Sequence, residues 1–483
     1  MSGGRPDAAG SIFQGVHPIS SLRSKGLIDR QLKRITSDQF LPRVLKNVTQ
    51  LISGNAAALL LGVVTMGILA RSLGPAGLGL IVLIESYGKL INQLIKLESW
   101  QSFIRYGAIA LEGGDTPRFL RLVKFGTALD VGESLLAAAI CIAFAGLAGQ
   151  LFGWTDEAVV MARLYSIALV FGVGSTPLGI LRIFDKFATI AWLDPVAAVF
   201  RLTFVAIAAA MEAPLMAYLL ILIVVQVGQR LVLAMISYRT LRANHFTGFL
   251  RQPLRSVARE NPGMWPMILS SNATILLRKS TQEVDVLAVG AFMGTASAGI
   301  YQIARKLGYA LTKAGGTLQQ VSFPHLARLW ARGEVEKFKK LVMQIEVMTL
   351  AGALACSLSL VIFAEPLILL IAGPQYLGAT LPLIVHSIAT LILLCGSALR
   401  PALANMGLQM KVLGIVAASA VAFYATLAIT IPNVGIVGAS IAHLVANAIT
   451  LPAIAVLYSR GLRADNRTRI ATARDGPADQ GPG

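Results

Sequence analysis

Long apolar stretches separated by short polar interruptions make up most of the chain, and the length of each stretch is the first informative quantity. About 20 consecutive apolar residues, as a helix, span the roughly 30 Å hydrocarbon core of a bilayer. About twelve such stretches occur, near 45–70, 77–104, 120–148, 158–181, 188–211, 214–237, 265–292, 296–322, 342–371, 379–399, 410–431 and 435–458. Inside hydrocarbon each backbone polar group must be paired within the protein, which only helices and closed barrels achieve. Runs of this length therefore predict an all-α integral membrane protein with about twelve transmembrane helices. The longest polar interruption, Arg239 to Asn261, divides them six and six. The expected organisation is a basic extension at 1–42, a six-helix lobe at 43–241, a basic linker at 242–262, a second six-helix lobe at 263–460 and a tail at 461–483.

Division into two sixes invites a search for an internal repeat. Gly74, Gly79 and Gly88 match Gly294, Gly299 and Gly308, each displaced by 220 residues. Both triplets sit where the first long helix of a half meets the next, where a short turn is expected and where glycine permits close helix approach. Halves that each begin and end on the same side predict parallel repeats, related by an axis along the membrane normal.

Composition agrees with a membrane chain: 55% of the 483 residues are hydrophobic and 14% charged, too little charge for a soluble surface of this size. The net charge of +18 would by itself suggest a nucleic-acid partner. Its distribution removes that reading, because the cations collect on alternate sides of the spans. The leading segment, the turns after the second, fourth, eighth and tenth spans, the central linker and the tail are rich in Lys and Arg. The opposite loops hold Asp156, Glu157, Glu212 and Glu365 with the single cation Arg71. By the positive-inside rule both ends are expected in the cytoplasm. No apolar leader of the secretory kind precedes the first span, although a short amphipathic piece is expected around Ile19–Ile35. The five tryptophans fall near predicted span ends, as interfacial anchors do. Cys141, Cys356 and Cys395 lie within apolar spans and suggest no disulfide framework. No phosphate loop, HExxH, paired CxxC or GxSxG occurs, and every loop on the acidic side is short. The sequence thus predicts a protein that is not an enzyme, with no cofactor and no metal.

The chemistry to explain is the set of ionisable groups inside the spans. Each costs roughly 2.5–3.5 kcal/mol at the bilayer centre unless it is paired or faces water. Glu85, Lys89, Asn92 and Lys96 recur at helical spacing on one face, as do Arg278, Gln282 and Asp285, and Gln302, Lys306, Tyr309 and Lys313. Gln226 shares a face with Arg230, and Asp194 with Arg201, beside Pro195. Pairs such as Glu85 with Lys89 or Lys279 with Glu283 neutralise each other locally. Arg201, Arg230, Arg305 and Lys306 have no such acid one turn away. Cations outnumber acids, which suits a hydrated cavity for an anionic ligand, since arginine holds phosphate oxygens through paired donors. His386 and His443 read as helix-packing residues.

Two stretches carry a resemblance. LARSLGPAGLGL (Leu69–Leu80) and DVLAVGAFMGTASAGIYQIARKLGYAL (Asp285–Leu311) resemble the polysaccharide-transporter branch of the multidrug/oligosaccharidyl-lipid/polysaccharide exporter superfamily, over roughly Leu41 to Arg463. The resemblance implies two six-helix lobes in a bacterial inner membrane. It also implies transfer of a polyprenyl-pyrophosphate-linked oligosaccharide to the periplasmic leaflet by alternating access through a cationic cavity. The substrate-binding candidates are Lys89, Arg201, Arg230, Arg278, Arg305 and Lys306; among them Arg278 and Arg305, in the matching motif, are implied to contact pyrophosphate or acidic sugars. Glu85, Asp194 and Asp285 are candidates for coupling or packing. Implied partners are the lipid-linked oligosaccharide, membrane lipids and other polysaccharide-assembly proteins, with a monomer as the working unit. The rival readings are a cation-coupled multidrug extruder, which should show an excess of intramembrane acids, and a membrane enzyme of polysaccharide assembly, which should carry a long external loop.

Overall fold

A computed structural model describes residues 40–254 and 257–474, leaving outside the description the side chains of residues 40–53, 55, 270–271, 273–275, 277–280, 310–325, 331 and 465–474. It separates into the units Met1–Thr49 and Gln50–Gly483. In the first unit only the backbone from Phe40 onward is described, and the amphipathic piece expected around Ile19–Ile35 lies outside the described residues. Among the described residues there are helices and no strand. The first half runs α1 (Phe40–Ile95), α2 (Trp100–Glu112), α3 (Thr116–Phe152), α4 (Asp156–Val170), α5 (Ser175–Ile183), α6 (Phe187–Ala210) and α7 (Leu215–Ala243). A connection with one turn of 3-10 helix and the short α8 (Val257–Glu260) follows. The second half is α9 (Met264–Ala331), α10 (Val335–Ile362), α11 (Ala364–Ile371), α12 (Thr380–Leu394), α13 (Leu399–Asn405), α14 (Gln409–Val434) and α15 (Val437–Arg474).

A straight helix of the 56 residues of α1 would be about 84 Å long, nearly three times the hydrocarbon thickness. It is broken at Gly74, where φ is 65° and ψ 178°. The 68-residue α9 is broken in the same way at Gly294, with φ 82° and ψ 175°. These are left-handed φ values, at which glycine carries no steric cost. Ten stretches of the described chain are long and apolar enough to cross a membrane. Two of them, Ala56–Ile95 and Thr281–Tyr309, contain these breaks, so the count of crossings is about twelve.

The short turns expected after the first and seventh spans are therefore single glycine residues. Four other spans also differ from their expected form. The second ends at Ile95 and resumes as α2 at Trp100. The fourth is interrupted at residues 171–174 and resumes as α5, and the tenth is interrupted at 395–398 and resumes as α13. The ninth ends at Ile362, because Pro366 favours the first turn of a new helix, α11, over the interior of an old one. Other helix ends follow local chemistry. Asp115 accepts from the Arg118 amide 3.0 Å away ahead of α3, Gly153 closes α3 in the left-handed conformation, and Thr155 caps α4.

The glycine repeat is where the two halves meet. A methyl group on Gly79 would lie 1.7 Å from the Thr295 carbonyl oxygen, and one on Gly299 would lie 2.2 Å from that of Pro75. Each would also lie 2.9 Å from the other glycine's backbone nitrogen. The third pair behaves alike: Gly88 packs on the ring of Tyr165 and Gly308 on that of His386, with a methyl group 2.4 Å from the ring in both cases. Around this crossing sit Leu78, Leu83 and Ile84 from α1 and Val286, Val289 and Tyr301 from α9, all but sealed from the exterior. In a bilayer such contacts replace the hydrophobic drive between helices, since lipid is as apolar as leucine.

Arg71, the one cation that the charge pattern left on the acidic side, has a structural reason to be there. Its guanidinium donates to the carbonyl oxygens of Leu369, Leu370 and Ile371 at 3.4, 2.6 and 3.3 Å. It thereby satisfies the open C-terminal end of α11 from the opposite half. Tyr376 adds a hydroxyl bond to the Ala70 carbonyl at 3.0 Å. Arg71→Ala is expected to lower stability by roughly 1–2 kcal/mol, read as a fall in melting temperature in detergent. Arg71→Lys should recover less than half of that, because an ammonium is a point donor and not a fork. An unchanged melting temperature for Arg71→Ala would remove this latch.

Candidate functional site

The polar faces predicted along the spans converge on three clusters. The first joins the two halves. Glu85 and Lys89, one turn apart on α1, form an ion pair of 2.9 Å in which the lysine side chain keeps 42% exposure. Arg201 of α6 and Lys306 of α9 both lie within electrostatic reach of Glu85, and Lys306 also senses Lys89 and Arg305. Gly62 makes room for the Lys306 ammonium, which lies 3.6 Å from where a methyl group on that glycine would stand. Arg201 keeps a buried Nε without a partner among the described residues. Among the described residues three cations share one carboxylate here, a formal surplus of two positive charges.

The second cluster lies on the other side of Arg305. Asp285, with 1% side-chain exposure, accepts from the Tyr301 hydroxyl at 2.9 Å, from Arg305 Nη1 at 3.1 Å and from its neighbour's amide at 2.7 Å. His443 Nε2 of α15 stands 3.1 Å from Oδ2, the oxygen that also accepts from Tyr301. Arg305 is also 3.7 Å from Glu283, donates to Gln302 Oε1 at 3.0 Å and bonds the Gln282 carbonyl. The His386 ring packs edge-on against that of His443, with centroids 5.1 Å apart, and its Nδ1 is buried with no partner among the described residues. Sequence spacing left Arg305 without an acid. The kink at Gly294 brings one arm of α9 back beside the other and supplies two, Asp285 and Glu283.

The third cluster surrounds the interruption between α4 and α5. The Lys96 ammonium lies 3.4 Å from the Gly172 carbonyl, which the break leaves free of helix bonding. Asp130 accepts from the Thr176 amide at 2.8 Å and so caps α5. Arg230 packs on Gly174, with its guanidinium 2.6 Å from where a methyl group would sit, and senses Lys96. Glu133 is buried beside them, close to Lys96, Asp130 and the Leu97 backbone. The second half repeats the device. Glu346 of α10 accepts from the Ala398 and Leu399 amides at 2.7 and 3.3 Å and caps α13 at the other break.

Of the residues singled out from sequence, Glu85, Lys89, Arg201, Arg305 and Lys306 come together, and Asp285 adjoins them through Arg305. Arg230 belongs to the third cluster. Asp194 is exposed on α6 and accepts from Gln229 at 2.8 Å. The side chain of Arg278 lies outside the described residues, as does that of Lys313. What periodicity missed are Tyr301, bonded to Asp285, and Tyr165, bonded to Gln226 at 3.2 Å. Their phenols carry no charge, so a search for ionisable groups passes over them. His443 was visible but not its role, because its carboxylate partner is 158 residues away.

The chain is similar to known proteins at three levels. A family model described as "polysaccharide biosynthesis protein" matches residues 44–330, more than half of the chain. The inner membrane protein YghQ of Escherichia coli (strain K12) is 26% identical over 350 residues, which cover 72% of this chain and 98% of that one. Among solved structures, the lipid II flippase MurJ in an inward closed conformation superposes with a TM-score of 0.62 at 14% identity, covering 87% of this chain and 92% of that one. An inward-facing multidrug resistance MATE family transporter of the MOP superfamily superposes with a TM-score of 0.61 at 15% identity, covering 89% and 96%. At these identities the structural matches establish a shared fold.

Proposed function

The chain belongs to the polysaccharide biosynthesis protein family, and from that premise we propose that it carries a polyprenyl-pyrophosphate-linked oligosaccharide from the cytoplasmic to the periplasmic leaflet. Family, fold and the inner-membrane relative support a multi-pass inner-membrane transporter of the flippase and exporter kind. In this reading the Gly74–Gly294 end is periplasmic and the end bearing the connection between α7 and α9 is cytoplasmic, following the distribution of cations.

The observation that carries the proposal is the surplus of two positive charges in the cluster of Glu85, Lys89, Arg201 and Lys306, placed between the halves. Moving one ion into hydrocarbon costs on the order of 20 kcal/mol by an idealised Born estimate. A diphosphate therefore crosses only where fixed cations replace its water, while the polyprenyl tail stays in lipid. A multidrug extruder for organic cations would require the opposite balance, acids in excess. Alternating access supplies the rest: the Gly79–Gly299 crossing and the Arg71 latch hold one end shut while the other admits the head group.

Deleting the gene in its host should eliminate a surface polysaccharide and accumulate lipid-linked units on the cytoplasmic leaflet. A chain carrying Arg201→Ala with Lys306→Ala should insert normally and fail to restore the polymer. Two lost charge-assisted contacts correspond to about 3–6 kcal/mol, or roughly two to four decades of affinity. Normal polymer in the deletion strain, or full restoration by the double variant, would refute this function.

A further inference from the structure

The connection between α7 and α9 lies against the outer side of the first half, where three side chains of α3 hold it. Arg118 donates from Nε and Nη2 to Asn261 Oδ1 at 3.2 and 2.9 Å. Arg121 pairs with Glu260 at 2.9 Å, and Lys124 Nζ donates to the Gln252 carbonyl at 2.6 Å. From α2 the Tyr106 hydroxyl adds a bond of 2.7 Å to the Pro262 carbonyl. Steps of three or four residues carry the row of Arg118, Arg121 and Lys124 on into Ala128, Val131 and Leu135, which are exposed on the apolar span Thr116–Phe152. The face of α3 that meets lipid along the span is thus the face that holds the connection at its end. Four residues, about 6 Å of helix, separate Lys124 from Ala128. The connection therefore sits at the edge of the hydrocarbon and beside the bundle.

Its own side chains match that position. Phe246 and Phe249 pack on the cluster around Phe119, whereas Leu250 and Leu254 are 67% and 42% exposed. Arg251, between these leucines, and Arg259, beyond them, are exposed as well. From Arg239 to Gly263 the sequence holds five arginines and one acid, Glu260, which Arg121 already engages. The acids of the turn before α3, Glu112 and Asp115, stand farther from the apolar stripe than the three cations do. Apolar side chains framed by cations, at the height where hydrocarbon gives way to water, fit a bilayer surface with phosphates above acyl chains. The leading segment of the chain is a poorer cover, because it is itself basic, with Arg23, Lys25, Arg30, Lys33 and Arg34. We propose that the connection is a binding site for anionic phospholipid, in which Leu250 and Leu254 enter the cytoplasmic leaflet and Arg251 and Arg259 take headgroup phosphates. The site is independent of what the protein transports. Because α2 and α3 fix the connection, lipid bound there holds the first half at a set depth in the leaflet.

Hydrogen exchange of the full-length protein, one copy per lipid nanodisc, tests the site. Backbone amides of residues 249–254 should exchange about tenfold more slowly in discs of equal parts phosphatidylglycerol and phosphatidylcholine than in phosphatidylcholine alone. Salt at about 1 M, which shortens the Debye length to about 3 Å, should remove most of that difference. Arg251→Gln with Arg259→Gln should lose the difference between the two lipids, and Leu250→Ser with Leu254→Ser should exchange fast in both. Both pairs alter exposed side chains, so the melting temperature should stay that of the unmodified chain and report that the fold is intact. Equal exchange of the unmodified chain in the two lipids overturns the proposal. If that exchange is slow in both, the cover is the leading segment or uncharged lipid; if it is fast in both, the leucines face water. A lipid-dependent slowing that survives Arg251→Gln with Arg259→Gln overturns the assignment to these arginines.

Discussion

Gly79→Val or Gly299→Val is expected to destabilise the protein by about 3 kcal/mol or more and to abolish transport. Each added side chain would enter a space where even a methyl group meets backbone at 1.7 or 2.2 Å. Overpacking usually costs about 1–3 kcal/mol because neighbouring side chains shift. Here the obstacle is main chain, so the helices must separate and lose the close contacts around Leu83 and Val289. Reversible unfolding by steric trapping in bicelles would measure the change. Gly132→Ala is the control, since nothing lies within 4 Å of its added methyl; it should be neutral or stabilising by up to about 1 kcal/mol, as for a helical glycine replaced by alanine. Gly79→Ala and Gly299→Ala combined should cost less than the sum of the single changes, because both relieve one crossing. Equal stability of Gly79→Val and Gly132→Ala would dispose of the crossing as the junction of the halves.

Asp285→Ala should be similarly damaging, at about 3–5 kcal/mol, by a different route. It leaves Arg305, the Tyr301 hydroxyl and His443 facing a buried space without their acceptor, and an orphaned buried charge is worse than none. Arg305→Ala removes one donor but leaves Asp285 with the Tyr301 hydroxyl, the Val286 amide and His443, so it should cost less. The double variant Asp285→Ala with Arg305→Ala should recover at least 1 kcal/mol relative to the sum, measured by the same unfolding method. Strict additivity would mean that the pair does not interact. The cycle also guards against misreading Arg305→Ala alone: lost transport in that variant reports a broken buried pair as much as a lost substrate contact.

Why some of this was legible in the sequence and some not comes down to range. The spans were visible because hydrocarbon dictates the composition of every residue across about 20 positions. The glycine crossing was visible because a contact between two backbones excludes side chains on both partners, so each half had to keep its own glycine at the same offset. The Glu85–Lys89 pair was visible because four residues bring it round one helix turn. Asp285 and Arg305 are 20 residues apart, on two arms of a helix folded at Gly294, and no helical period connects them. The interruptions at 171–174 and 395–398 have no proline within them, and their caps come from Asp130 and Glu346, 46 and 52 residues away. Gly172, Gly174 and Gly396 weaken the helix locally, but the carboxylates that make these ends stable lie too far along the chain for any local pattern to show.

The meeting of Gly79 with Thr295 and of Gly299 with Pro75 has the form of an isologous interface: the patch that one half presents is the patch it receives. Twofold homodimers are built in this way, each subunit using one surface twice. One polypeptide here does with two of its own segments what a six-helix subunit would do with an identical copy, and joining the copies frees them to diverge. The halves differ in what they add around the crossing: Lys89 and Arg201 come from the first, and Asp285, His386 and His443 from the second. The shared crossing is the part that neither half could alter alone.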